Sequence, residues 1–194
     1  MVKEKFPLGR IVFFVTENVH KFKEARALLA KYEIAAAMLR IKSAEIQDDK
    51  LENIARTSAL EAFGKSGLPL IVEDAGLFIS ALNGFPGPYS SYVYKTIGNK
   101  GILRLMEGIA NRRAQFRSAV AYCSPDGSTE LFLGITEGNI AEEARGSQGF
   151  GFDPIFEPSG SDGRAFAELD TDEKNMFSHR SRALTKFAEH YMSL

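Results

Sequence analysis

An internal disulfide needs two cysteines, and this chain has one, Cys123. It lies in an apolar, strand-like stretch, the spacing of a zinc site is absent as well, and the chain suits a reducing cytosol. Dense runs of Lys or Arg are also missing: 24 basic residues face 25 acidic ones, a formal net charge of -1. A protein that neutralises duplex phosphates needs a basic stripe, so nucleic acid is not an expected partner. Nor is there a long apolar run. The stretch 11–15 falls far short of the ~20 residues of a membrane span and is too short for a secretory signal core, so the expected location is cytoplasmic, with no membrane partner. No repeat, linker or low-complexity tract is visible. What is present is ordinary globular composition, 44% hydrophobic and 25% charged over 194 residues, which predicts one domain, 1–194, with a substantial core.

Hydrophobic periodicity supplies the element order. Residues 11–15 form a β-branched and aromatic run that predicts a buried strand, and 16–20 break it. Beyond, Phe22, Ala25, Leu28, Leu29 and Tyr32 recur at helical spacing, with Lys23, Glu24, Arg26 and Lys31 on the other face. A second strand is expected at 38–41, a helix over 51–65, and a third buried strand at 68–72 that stops at Glu73 and Asp74. Asn-Gly-Phe-Pro-Gly-Pro-Tyr at 83–89 marks a shaped loop rather than regular structure. A helix over 101–110 is predicted, then an antiparallel hairpin from 114–123 and 129–136, then a last helix starting near Ser178. The pattern predicts an α/β fold on a mixed central sheet with flanking helices.

Four polar clusters stand at the ends of these elements, where open α/β sheets place their ligands. Thr16, Asn18 and Lys21 lie between the first strand and helix. A hydroxyl, an ammonium and the N–H groups of a helix start suit a triphosphate, although Asn18 fits a plain helix cap equally. Glu73 and Asp74 are adjacent carboxylates whose repulsion a hard cation would relieve; a solvated turn is the other reading. Gln148-Gly149-Phe150-Gly151-Phe152-Asp153-Pro154 alternates glycines with aromatic rings. That pattern fits a flat platform for a base or a tight turn packed by core aromatics. Lys174, Ser178, His179 and Arg180 crowd the start of the last helix. Cations there oppose the macrodipole by roughly 0.3 to 1 kcal/mol each, so an anion or carbonyl-rich ligand, or solvent screening, has to offset them.

At these residues the sequence resembles the inosine triphosphate pyrophosphatase, or non-canonical purine NTP pyrophosphatase, family. The ordered blocks are Thr16-Glu17-Asn18 with Lys21 and Glu24; Glu73-Asp74-Ala75-Gly76-Leu77; Gly84-Phe85-Pro86-Gly87-Pro88-Tyr89-Ser90; Gly149 to Phe156; and Glu173-Lys174-Asn175 with Ser178-His179-Arg180. Five blocks in order are far more specific than any one of them. The resemblance implies two lobes around a nucleotide-binding cleft, a homodimer, and a purine nucleoside triphosphate (ITP, dITP or XTP) cleaved to monophosphate and pyrophosphate with Mg2+. Carried onto matching positions, Thr16, Asn18 and Lys21 hold phosphates. Asp74 binds metal and serves as or positions the base, and Glu45 falls where the family places a second metal carboxylate; Glu73 is a further metal candidate from its place beside Asp74. Phe150, Gly151, Phe152, Asp153, Lys174, His179 and Arg180 surround the purine, and Ala75 touches substrate through its backbone. One departure stands out: relatives carry a phosphate lysine on the second helix, and the matching place here falls near Thr57 and Ser58, with Arg56 and Lys65 as the nearest substitutes. A Maf-like pyrimidine or modified-nucleotide pyrophosphatase and a non-catalytic purine sensor are the competing readings. The Phe150 to Phe156 block argues against the first, and Glu73-Asp74 against the second.

Overall fold

The computed structural model describes residues 10–42 and 46–194. A mixed, curled sheet is flanked by helices. In chain order the elements are β1 (Arg10–Val15), α1 (Val19–Ala30), β2 (Ile34–Leu39), α2 (Leu51–Ser66), β3 (Leu70–Ile79), β4 (Pro86–Gly87), α3 (Ser90–Thr96), α4 (Gly98–Leu105), β5 (Arg113–Cys123), β6 (Thr129–Ile140), β7 (Phe156–Pro158), α5 (Thr171–Phe177) and α6 (His179–Ser193). The strands lie in the order β2-β1-β3-β5-β6-β7, with β4 on β3. β1 is parallel to both neighbours, whereas β3, β5, β6 and β7 pair antiparallel.

Local chemistry sets the helix ends. Asn18 Oδ1 accepts from the N–H groups of His20 and Lys21 and starts α1. Gly67, at φ 66°, ends α2 in the left-handed conformation that glycine adopts without strain. Asp170 and Glu173 form a reciprocal capping box on α5, and Ser178 caps α6 by accepting from Ser181 N.

β3 binds the molecule together because its alternating side chains enter three apolar clusters. Ile71 joins Val12, Phe14, Leu29 and Phe187 between the sheet, α1 and α6. Leu70 and Val72 face the small residues Ala55, Ala59 and Ala62 of α2 on the other side. Further along, Leu77 and Ile79 meet Ile102, Met106, Phe156 and Phe166 in a core of the second lobe. The expected strand end at Glu73 and Asp74 is therefore corrected: β3 continues to Ile79, paired with β5 from Leu70 opposite Cys123 to Ile79 opposite Ala114. The two carboxylates sit mid-strand.

Three other expectations shift. The second strand begins at Ile34, earlier than the predicted 38–41, because α1 turns sharply through Glu33 (φ 57°) and Ala35, Ala36 and Ala37 pair with β1 despite their small side chains. The 83–89 loop contributes β4, whose Gly87 pairs with Leu77. Gly98, at φ 61°, divides α3 from α4, so the predicted 101–110 helix starts and stops earlier. The hairpin stands, with β6 extended to Ile140. Among the described residues no helix is long and apolar enough to cross a membrane.

The first turn of α6 rests directly on Gly134 of β6, where a Cβ would come within 2.0 Å of the His179 carbonyl oxygen and 2.6 Å of Ala183 N. Gly134→Ala should destabilise by about 1–3 kcal/mol through overpacking. Gly64→Ala, on the exposed side of α2 with no atom nearby, should stabilise by about 0.4–1 kcal/mol. Thermal melts of the two variants should move in opposite directions.

Candidate active site

Where the loop after β1, the middle of β3, the 148–153 loop and the α5–α6 corner meet, the protein buries a chain of charges. Glu73 has a side chain with no solvent exposure. Its Oε1 accepts from Arg180 Nε at 3.1 Å and from Ser118 Oγ of β5 at 2.8 Å. Its Oε2 lies 2.8 Å from Lys21 Nζ, which also donates to the Glu73 carbonyl at 3.3 Å. Arg180 Nη1 donates to Glu24 Oε2. Glu24 Oε1 accepts from Lys174 Nζ at 2.8 Å, and that ammonium also donates to Asp153 Oδ2 at 2.7 Å. Six side chains thus alternate in sign, Lys21, Glu73, Arg180, Glu24, Lys174 and Asp153. All but Lys21 are buried.

This arrangement explains the cations at the start of α6. The offset is resident: Glu73 and Glu24 meet Arg180 inside the fold, so the helix start needs no ligand to compensate it. Burial pushes the Glu73 carboxyl up, but the Arg180 and Lys21 charges outweigh it and hold the group well below the usual carboxylate range. Glu24 follows the same balance, burial against Arg180 and Lys174, and also ends low. Asp153 goes the other way, because burial exceeds what Lys174 returns. Arg180 is held above its ordinary value, burial being overcome by Glu73 and Glu24. His179, fully enclosed and beside Arg180, is depressed well below 6.5, so its imidazole is neutral.

Asp74 follows Glu73 on the strand and therefore projects to the opposite face, the face of Leu70 and Val72 that packs on α2. It is half-buried, as is Ala75. Thr16 Oγ1 accepts from Asn18 N at 3.1 Å, so the hydroxyl and the cap form one turn ahead of Lys21, whose side chain keeps 18% exposure. Beside the start of α2, Gln47, Asp48, Asp49, Lys50, Asn53 and Tyr89 line an open groove of about 570 Å³. Lys65, a candidate stand-in for the missing helix lysine, is taken up by Glu61 and the Lys42 carbonyl. Glu45 lies outside the described residues.

The glycine-aromatic loop is pinned from within. Asp153 Oδ2 accepts from Phe150 N at 2.7 Å, and Gly151 O accepts from Asn99 Nδ2 at 3.2 Å. Gly149 is obligatory: φ is 72°, and a Cβ would meet Asp153 Oδ2 at 2.1 Å. The two rings part company here. Phe152 is core, edge-on to Tyr94, whereas Phe150 is half-buried, its ring 5.1 Å from Lys174 Nζ and 5.4 Å from Arg180 Cζ. His179 stacks on Phe116 at 4.7 Å and 10°, and its Nδ1 is buried with no hydrogen-bond partner among the described residues. Such an atom costs about 1–3 kcal/mol unless something pairs with it.

Glu24 and Ser118 were missed as site residues by pattern reading. Glu24 is placed by periodicity on the polar face of α1, yet it is 7% exposed; its spacing of three from Lys21 and its place next to Ala25 are the signals. Ser118 lies in an apolar strand and carries none.

His179 and the two low carboxylates give acid sensitivity a definite sign. Each has a folded pKa below its unfolded value, so each contributes stability above that value and loses it as pH falls. His179 should act first, below about 6.5, and Glu24 and Glu73 below about 4.5. Asp153, raised above 3.8 by burial, opposes them, its contribution fading as pH rises. Denaturation between pH 6.5 and 5 should show stability falling by up to about 1.4 kcal/mol per pH unit, with a flatter slope in His179→Gln. Arg180→Ala should lose about 3–5 kcal/mol at pH 7, because Glu24 and Glu73 lose their buried partner.

The sequence and the fold have counterparts. The model of the Ham1 family matches residues 12–190. A dITP/XTP pyrophosphatase of Methanopyrus kandleri is 53% identical over 180 residues, covering 93% of this chain and 95% of that protein. One of Ignicoccus hospitalis is 48% identical over 94% of this chain and 97% of its own. The structure of a HAM1 protein from Coxiella burnetii superposes with a TM-score of 0.83 at 31% identity, over 95% of this chain and all of that one. Matched along nearly its whole length by the family model and by these relatives, the chain belongs to the Ham1 family.

Proposed function

We propose that this protein hydrolyses non-canonical purine nucleoside triphosphates, ITP, dITP and XTP, to the monophosphate and pyrophosphate, cleansing the nucleotide pool in the cytoplasm. The observation that carries the reading is the division of labour between neighbours on β3. Glu73 anchors Lys21 and Arg180, and Asp74 presents a carboxylate on the other face. The printed names of the relatives, dITP/XTP pyrophosphatase, agree with it.

In this reading Thr16, Asn18 and the exposed edge of Lys21 receive the triphosphate at the start of α1, where N–H groups and positive charge favour anions. Asp74 takes the proton of the water that attacks the α-phosphorus. Such a general base contributes about 10² to 10⁴ in rate. Glu73 holds Lys21 in place so that the cation is present before charge develops.

The fit to a divalent cation, magnesium in this proposal, is partial and specific. Among the described residues no three His, Cys, Asp or Glu side chains converge on one point. Magnesium does not require such a cage, because it accepts one or two carboxylates with waters and phosphate oxygens. Glu73, expected as a ligand, is instead turned into the charge chain with both oxygens engaged. Asp74 is the carboxylate that would hold the ion, with Glu45 as the second candidate. When bound, the ion would neutralise the phosphate oxygens.

Purine selection falls to Phe150 as a stacking face and His179 as the polar group. Inosine and xanthine differ from adenine at position 6 in hydrogen-bond sign, and a buried group left unpaired by the wrong base discriminates by as much as about 10⁴ to 10⁵. Lys174 and Arg180 act mainly from beneath, fixed by Glu24, Glu73 and Asp153. Homodimerisation is supported by a band of exposed apolar side chains, Phe85, Tyr89, Tyr92 and Ile97, of which Tyr92 is 69% exposed.

Incubation with inosine, xanthosine, adenosine and thymidine triphosphates, with and without magnesium, tests the reaction. Pyrophosphate and monophosphate should appear from the first two only when the metal is present. Preference for thymidine triphosphate would instead favour a Maf-like enzyme, and tight binding without turnover a sensor. Asp74→Asn should lower kcat at least about 100-fold while dITP binding and melting temperature stay close to those of the parent. Near-normal turnover would remove Asp74 from the chemistry.

A further inference from the structure

His20 stacks its imidazole on the ring of Phe150, centroids 5.3 Å apart at 27°. Neither composition nor the Thr-Glu-Asn-Val-His-Lys order marks it, and it falls outside every residue so far given a role in the reaction. Its backbone is fixed, since His20 N donates to Asn18 Oδ1 at 2.9 Å. Its side chain is exposed, and its ring lies stacked on Phe150.

Phe150 has two ring faces and three claimants: Lys174, Arg180 and His20. A purine that stacks on this ring has to displace one of them. Lys174 is locked by Glu24 and Asp153, and Arg180 by Glu24 and Glu73, all buried. Breaking such pairs costs far more than parting an exposed stack. The imidazole is the occupant that yields. It is also a flat nitrogen heterocycle, the closest match to a purine among the protein side chains near this ring.

We propose that His20 is a place-holder for the base: its ring covers the face of Phe150 that the purine takes and turns aside when nucleotide binds. This deepens the base-stacking reading of Phe150 and rests on it. Rotation about the His20 side-chain bonds suffices, because the start of α1 stays capped. The stack also links the phosphate side to the base side, since Lys21 is the next residue.

The consequence runs against the usual expectation for a site residue. Removing His20 should tighten nucleotide binding, by the equilibrium factor of about 2 to 12 that an aromatic pair represents. His20→Ala should lower the KM for dITP by that factor, with kcat changing less than KM, and His20→Phe, which keeps a ring, should leave KM at or above the parent value. The chain has no tryptophan, so Phe150→Trp creates a sole tryptophan at the platform, read by excitation that spares tyrosine. Titration of that variant with inosine monophosphate, with and without His20→Ala, reads binding apart from turnover, and the double variant should bind about 2- to 12-fold tighter. Unchanged or weaker binding on removing His20, by either readout, overturns the place-holder. Phe150→Ala separates the two ideas. If it leaves KM unaltered, the base platform itself fails; if it raises KM while His20→Ala has no effect, only the role of His20 falls.

Discussion

Alternation of charge inside the fold is the constraint on which the rest of this structure depends. Lys21 and Glu24 come from α1, Glu73 from β3, Asp153 from the 148–153 loop, Lys174 from α5 and Arg180 from α6. A buried ion pair is weak evidence of net stability, since desolvation consumes much of the attraction. Its value here is positional. Each carboxylate serves two cations or a cation and a backbone N–H, so no member can move without exposing an unpaired charge in a low dielectric. The site is held to one geometry by the penalty for leaving it.

The same logic explains why two acids can stand side by side on β3. Strand geometry sends neighbouring side chains to opposite faces, so Glu73 and Asp74 do not compete for one environment. Glu73 is surrounded by cations and remains ionised under all ordinary conditions. Asp74 lies half-buried on the face shared with α2, where the proposed chemistry places it. A register slip of one residue would exchange them, and it is the ten-residue length of β3, paired with β5 throughout and packed into three cores, that forbids the slip.

Much of this was legible in the residues. The strand at 11–15, the helix over 51–65, the hairpin and the start of α6 at Ser178 follow from periodicity and capping, because each rests on local chemistry that a short window contains. The end of β3 was not legible: Glu73-Asp74 reads as a boundary, and only the partners supplied by α6, β5 and Lys21 make a carboxylate tolerable in mid-strand. For the same reason Glu24 reads as a solvent-facing residue of α1 although its counter-ions arrive from 150 and 156 positions away. The glycine-aromatic block fits either a platform for a base or a tight turn packed by core aromatics; the tight turn occurs, with Phe152 in the core and Phe150 half-buried at its edge. Sequence order could not make that division, since the two rings differ only in which side of a glycine they lie.

The span of the charge chain also bears on how the molecule comes into being. Glu24 and Glu73 are made early and their principal partners, Lys174 and Arg180, belong to the last helices. A nascent chain that has emerged only as far as β6 carries these two acids with Lys21 as their sole cation from the cluster. It must keep them hydrated and cannot close the core around α1. The charge cluster therefore closes only when the carboxyl-terminal helices dock, and a chain cut before α5 lacks two of its three cations.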